Sequence, residues 1–473
     1  MNDSYTSPFA ERYSTPEMLR LFSNDFKFRT WRKLWIALAE AQKALGLDIS
    51  AAQIRELRAR ADDINYGAAR KHEERLRHDV MAHIHAYGDQ CPKARPILHL
   101  GATSAYVVDN TDLIVLRSGY QLIEREMTNV IAKLAEFAEE HAATPTVAFT
   151  HFQPAQFTTV GKRATLWIQE LLLDLDEIEH RQKSLKFLGA KGTTGTQASF
   201  LALFNGDHRK VRELDRRVAQ AMGFPETYAV SGQTYSRKVD AQALATLAGV
   251  AASSHKFAND LRLLQHLGEV QEPFGAEQVG SSAMAYKRNP MKCERMTSLA
   301  RLVMSLSTNA AFTAASQWFE RTLDDSAGKR IAVPEAFLAT DAILTLYFDV
   351  ASKPAVFPEV IARNVRRELP FIATENILMA AVKAGGDRQT LHEAIRKHSQ
   401  AAADRIKGGE ENDLFKRLEN DGLFKAVKIG EVARPENFTG RSSEQVKEFL
   451  ESQVRPRLKQ RKALLGWDAS AKV

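Results

Sequence analysis

Cysteine is nearly missing from this chain: there are two, Cys91 and Cys293, in 473 residues. Two thiols frame no disulfide scaffold and fill no zinc cluster, and they suit a reducing compartment. His83 and His85 lie close together, but no HExxH or Cys/His ligand spacing accompanies them, so no metal is expected. No uninterrupted apolar run approaches the roughly 20 residues that cross a bilayer. The opening stretch, MNDSYTSPFAERYS, is polar and carries an early acid, unlike the basic-then-apolar layout of a secretory leader. Nucleic-acid motifs are missing, and only RPRLKQRK (455–462) forms a short basic run. Repeats and low-complexity blocks are also missing. These absences lead to an expectation of a cytoplasmic protein with no membrane or nucleic-acid partner.

What is present is apolar and helical. Hydrophobic residues make up 44% of the chain, enough for sizeable cores, and the length suits about two or three domains. The net charge of +7 is mostly basic residues mixed with acids. It reads either as a solvated surface or as a field that draws in a small polyanionic substrate.

Residues 1–110 look mixed, with short helices broken by turns. From Thr111, apolar residues Leu116, Tyr120, Ile123, Met127, Val130, Leu134 and Phe137 step by threes and fours. That spacing predicts one stripe on a helix of about 30 residues. The DNTD just before it (109–112) offers N-cap candidates. Further long helices are expected over 161–186 (Leu166, Leu173, Ile178), 237–268 (Leu244, Leu247, Phe257, Leu261, Leu264), after Pro290, and over 334–351. Strand signals are few. The expected fold is all-α: an N-terminal part (1–110), a long central bundle (111–351) and a C-terminal helical domain (352–473). Stripes this long favour packing against helices of other subunits.

Three polar stretches interrupt the helices. GSSAMAYKRNPMKCE (280–294) joins glycine and serines to Lys287, Arg288 and Asn289. Free backbone N–H groups, a point charge and an amide suit a loop that closes over a carboxylate; a merely soluble connection has the same composition. Serine acts as a base only where cations and donors stabilise its alkoxide. TPTVAFTHFQPAQFTTVGKR (144–163) carries His151, whose neighbours Thr150, Gln153 and Gln156 could fix its tautomer for acid–base work. A lone histidine in this setting also serves structure alone. RHDVMAHIHAYG with HLGATSAY (77–106) carries His78 between Arg77 and Asp79. The aspartate favours an imidazolium, or forms a plain surface salt bridge.

Together these stretches resemble the fumarase/aspartase superfamily, in its adenylosuccinate lyase branch. GSSAMAYKRNP is similar to the superfamily signature GSSxMPxKxNP. THFQPAQFTTVGKR, HLGATSAYVVDNTD, SGQTYSRKVD (231–240) and ERTLDDSAGKR (320–330) resemble the branch, over about residues 10–350. The resemblance implies a mostly helical three-domain chain, a homotetramer with composite active sites, no cofactor, and an anionic nucleotide substrate from which fumarate is eliminated. It implies Ser281 as general base and His151 as general acid. Lys287 and Asn289 would hold the fumaryl carboxylates, and His78 would support the substrate phosphate or the charge balance near the acid. Arg12 and Tyr13 would meet the phosphate. Thr103 and Ser104 would bind carboxylate, and Ser282 would bind substrate or shape the loop. Arg77, Asp79, Thr150, Gln233, Arg295, Arg321, Ser326 and Arg330 complete the implied substrate contacts. Bland readings remain beside these: Arg295 in a helical salt bridge, Arg321 and Arg330 paired with the neighbouring acids, Thr103 and Ser104 as helix caps. One residue departs from the signature: Ala285 stands where proline is usual, which implies a loop that orders at greater entropic cost. Argininosuccinate lyase is the rival within the superfamily. A non-catalytic protein on the same scaffold is the rival outside it, although such a protein has no need of Ser281, His151 and Lys287.

Overall fold

The computed structural model describes residues 3–468. In chain order the elements that matter here begin with α1 (Asn24–Ala44), α2 (Tyr66–Leu76) and α3 (Asp79–Gln90). The bundle starts with α4 (Ser104–Glu140), followed by a hairpin of β1 (Pro145–Thr150) and β2 (Gln153–Thr159), then α5 (Val160–Ser184) and α6 (Lys238–His266). Strand β3 (Val270–Gln271) leads toward α7 (Met291–Ala315) and α8 (Ser326–Ser352). Strand β4 (Ala355–Val356) precedes α9 (Pro358–Ile372), and α10 (Ser442–Phe449) lies near the end.

The expected α4 stripe is real: Leu116, Tyr120, Ile123, Met127, Val130, Leu134 and Phe137 are all buried. Each such side chain contributes about 1.5–3 kcal/mol on leaving water. Helix α6 lies along α7, α7 along α8, and α4 packs on both α5 and α8. Aromatic contacts lock the crossings. Phe257 of α6 stacks on Tyr347 of α8 with ring centroids 4.1 Å apart, and Trp167 of α5 meets Phe257 edge-on at 5.0 Å. Helix α8 is long and apolar enough to cross a membrane by length and composition, but 78% of its most apolar window is buried. That marks a core helix.

Several local expectations are corrected. The DNTD does not cap α4, which begins at Ser104. Asp109, Asn110 and Thr111 lie inside the helix and are buried, and the polar groups of Asp109 and Asn110 have other partners. Asn110, for example, accepts from Leu188 and Gly189 N–H and donates to the Gly189 carbonyl. Leu166 and Leu173 are about half exposed, at 50% and 57%, so α5 turns a second apolar face outward while Ile178 faces in. Helix α8 begins at Ser326, with Pro334 in its interior rather than at its start. The sparse strand signal hid the β1–β2 hairpin, which α9 covers. The basic run 455–462 is absorbed by acids of α4 and α5: Arg455 meets Glu139, Arg457 meets Asp176, and Arg461 meets Glu124 and Glu179.

Candidate active site

His151 sits at the tip of the β1–β2 hairpin. Thr150 and Gln153 are paired across the strands, leaving His151 and Phe152 as a two-residue turn. Both have positive φ, 53° and 57°. That is the backbone of a mirror-image turn, which usually takes Asn-Gly. Neither residue has that freedom, so the turn holds strain of the kind that collects at functional sites. Phe152 rests near Phe149, centroids 5.6 Å apart, and the imidazole and Thr150 are exposed. The base of the hairpin is firm: Thr146 Oγ1 donates to buried Glu269, whose other oxygen accepts from Asn364 of α9.

The serine loop runs from Pro273 to Pro290, between β3 and α7. Its ends are tied. Glu272, buried, accepts from the N–H groups of Lys292 and Cys293 in the first turn of α7, both at 3.0 Å, which also suits the positive end of that helix. Lys292 Nζ reaches the Pro273 carbonyl and Asp349. Gln265 donates to the Arg288 carbonyl at 2.7 Å. Inside the loop, Asn289 Nδ2 donates to the Gly280 carbonyl at 2.8 Å. Gly280 has to be glycine, since a Cβ there would stand 2.2 Å from the Lys287 carbonyl oxygen. Ser281 Oγ accepts from Met284 N–H at 3.1 Å, a contact that favours negative charge on that oxygen. Ser282, Ala285 and Lys287 are exposed. Pro290 caps α7, and Met291 is the first helical residue.

The third polar stretch forms a cluster. His78 caps α3, its Nδ1 accepting from Met81 N–H, while Ser104 Oγ lies 3.3 Å from Nε2. Arg77, with φ 53°, closes α2 in the left-handed region and so orients this turn. Asp79 receives Arg330 Nη2 at 3.2 Å. Thr103 stands at the N-cap of α4 without bonding it through its side chain, so neither Thr103 nor Ser104 is a plain cap. Arg330 and Ser326 line a cavity of about 380 Å³, together with Lys27, Asp112, Arg321 and Lys329. Burial and the Arg330 charge lower the Lys27 ammonium. Burial also opposes charge on Lys329, but Asp112 and Asp240 outweigh it and hold it charged.

A buried ion network fixes the cavity wall. Arg237 meets both oxygens of Asp109 at 3.0 and 3.1 Å and Asp325 at 2.6 Å. Asp325 also takes Arg321 at 2.7 Å. Burial opposes its charge, yet Arg237 and Arg321 leave the Asp325 carboxyl below its ordinary range. The expected pairing of Arg321 with its neighbouring acid is thus present, whereas Arg330 reaches instead to the distant Asp79. Gln233 N–H bonds the Glu320 carbonyl and its side chain the Thr193 carbonyl, joining segment 231–240 to segment 320–330. Arg12 is exposed. Tyr13 lies under the Arg295 guanidinium, 5.7 Å from it, so the N-terminal turn meets α7 one helical turn beyond the serine loop.

Within the chain, then, the structure joins His78, Ser104, Asp79 and Arg330, and separately Tyr13 and Arg295. Among the described residues, no hydrogen bond, ion pair or ring contact links the hairpin tip, the serine loop and the His78 cluster. Sequence reasoning missed the residues that hold these parts: Glu269, Glu272, Asp109 and Arg237. Asp109 lay within the DNTD and passed for a cap. Arg237 stood unremarked in SGQTYSRKVD, just before α6, and Glu269 and Glu272 are lone acids flanking the two-residue β3, with no local signature.

Residues 14–305 match the family model described as Lyase. In the solved structure of a fumarate lyase from Mesorhizobium sp. BNC1, 24% identical, the same fold recurs with a TM-score of 0.80, covering 95% of this chain and 100% of that one. The 3-carboxy-cis,cis-muconate lactonizing enzyme from Pseudomonas putida, 21% identical, gives 0.82 over 95% and 99%. Fold and matched model together define a lyase of the fumarase/aspartase type. A second model, Adenylosuccinate lyase C-terminus, matches residues 370–449. Adenylosuccinate lyase of Saccharomyces cerevisiae is 50% identical over 96% of this chain and 95% of its own length. That of Schistosoma mansoni is 45% identical over 99% and 98%. The chain belongs to the adenylosuccinate lyase family.

Proposed function

We propose that this protein is a carbon–nitrogen lyase that eliminates fumarate from adenylosuccinate, giving AMP, and from succinylaminoimidazole carboxamide ribotide, giving aminoimidazole carboxamide ribotide. The observation that supports it most is the Ser281 loop, tied at both ends by buried anchors, in a chain half identical to an adenylosuccinate lyase along nearly its whole length. Ser281, as alkoxide, removes the proton from the carbon next to a carboxylate. The carbon–nitrogen bond then breaks, and His151 gives the departing nitrogen its proton. Charge builds on the carboxylate as the proton leaves, and hydrogen-bond donors aimed there, cationic or neutral, lower the barrier. Lys287 supplies one. Asn289 supplies another, since one of its two amide hydrogens remains after Gly280 is bonded. Arg12, Tyr13 and Arg295 take the phosphate end. Thr103, Ser104, Ser282, Gln233 and Thr150 complete the contacts, with Arg321, Ser326 and Arg330 on the cavity wall and Arg77, His78 and Asp79 beside them.

We read the active protein as a homotetramer with composite sites. Among the described residues the hairpin tip, the loop and the His78 cluster do not bond one another within a chain, and neighbouring subunits are the means of joining them. Apolar side chains left outside support this: Leu166, Leu173, Phe312, Trp318, Phe319 and Leu323 are all at least half exposed. Two buried free thiols fit a cytoplasmic setting. The test is to mix purified protein with adenylosuccinate and follow fumarate. Turnover is expected in the native protein, while Ser281→Ala binds substrate with near-native affinity and turns over at least about a thousandfold more slowly. Near-native turnover by that variant removes serine from the base role, and turnover of argininosuccinate instead favours the rival lyase.

A further inference from the structure

Two acids in the middle of the bundle take no part in the site above. Glu126 on α4 and Asp341 on α8 are both fully buried. Among the described residues no donor reaches either oxygen of Glu126, and the group its carboxyl faces is the carboxyl of Asp341. Asp341 is already engaged from the other side. Thr15 N–H donates to one of its oxygens at 2.6 Å, and Thr15 Oγ1 to the other at 2.7 Å. Ser14 Oγ donates to the Leu338 carbonyl one turn earlier on the same helix. Residues 14 and 15 are thus stitched to α8, directly after Arg12 and Tyr13. The other charged groups that face the pair are Arg125 of α4 and Glu17 of the short helix Pro16–Leu21. Those two are bonded to each other.

Two carboxylates in contact in a dry interior do not both ionise. A proton on Glu126 removes the conflict. It gives Glu126 an O–H to donate, satisfies an otherwise orphaned group, and leaves Asp341 charged for the donors of Thr15. We infer that Glu126 and Asp341 share one proton, and that the pair is a positioning element that pins the N-terminal segment so that Arg12 and Tyr13 meet the substrate. The second half rests on the proposed phosphate role of those two residues. Burial and the facing Asp341 raise the Glu126 carboxyl well above its ordinary range. A raised acid holds its proton in the fold where the unfolded chain has lost it. Stability therefore declines as pH climbs from the ordinary carboxylate range toward the raised value.

The experiment uses the full-length protein and four variants, E126Q, D341N, T15V and R12A, with three readouts. Infrared spectra at neutral pH are expected to show a protonated-carboxyl band in the native protein that is lost in E126Q. E126Q keeps the donor, so kcat and KM stay within about twofold, and its stability advantage over the native protein grows from pH 6 to 8. T15V and D341N raise KM for adenylosuccinate about tenfold with kcat within about threefold; T15V guards against a D341N variant that fails to fold. A missing band, or one that persists in E126Q, overturns the shared proton. An unchanged KM in T15V beside a raised KM in R12A overturns the pin. An unchanged KM in R12A overturns the phosphate role, and the pin with it, while the band still decides the proton.

Discussion

Single side chains carry most of the precision in this molecule, and many of them are buried charges. Arg237 is the clearest case, with Asp109 on one side and Asp325 on the other. Removing it leaves Asp109 without its cation, and Asp325 with Arg321 alone, in a site nearly closed to water. Arg237→Ala is expected to lower unfolding free energy by about 3–5 kcal/mol in denaturant titration. Two buried histidines contribute to the response to acid. His83 is stacked on Phe28 at 3.7 Å, and burial with Lys27 and Arg32 nearby pushes it down to about 4. His99 accepts from Trp35 Nε1 at 2.9 Å, and burial with His78 pushes it down to about 4 as well. Both stay neutral in the fold while the unfolded chain takes up protons near 6.5. Stability is thus whole above that pH and falls as pH drops toward 4. His83→Phe should flatten this acid limb by about 3 kcal/mol between pH 7 and 4, read as unfolding midpoints across pH; an unaltered limb excludes His83 as its source.

Elements differ in how openly the sequence declares them. The apolar step of threes and fours over 116–137 found α4's buried face because periodicity is a local property and burial follows it. The start of that helix was misplaced because Asp109 and Asn110 look like caps yet work as buried partners for Arg237 and for the 188–189 backbone. On α5 the same periodic reading marks Leu166 and Leu173 as apolar positions beside Ile178. They belong to a second face, and one chain's pattern does not say which surface covers it. The hairpin was unreadable for a different reason: its turn is built on His151 and Phe152, residues with no turn signature, held in the left-handed region by the strands. The serine loop was the most legible part, since glycine, serine and proline punctuate it directly. Gly280→Ala tests its geometry. The added methyl meets the Lys287 carbonyl, so turnover should drop more than about tenfold. The melting temperature should move little, because the loop lies off the core. A large stability loss with normal turnover per folded molecule contradicts that division of labour.

At the scale of the whole molecule, the chain holds the parts of the candidate site on separate supports. The bundle supplies rigid rods, and the three polar segments project from them on firm anchors: Glu269 under the hairpin, Glu272 under the loop, Arg330 beside His78. Each segment is well held, and among the described residues none bonds the others. The residue types of the candidate site were legible in sequence through resemblance to the superfamily signature. Their meeting was not, because no local pattern says which distant segments come together; the proposed composite site puts that meeting between chains. The most direct measurement is to mix two inactive proteins, Ser281→Ala and His151→Ala, under conditions that let subunits exchange, and follow fumarate release from adenylosuccinate. Composite sites predict that activity returns, since some sites then draw an intact serine from one subunit and an intact histidine from another. If exchange is verified and the mixture stays as inactive as its parts, serine and histidine act within a single chain and the account is contradicted.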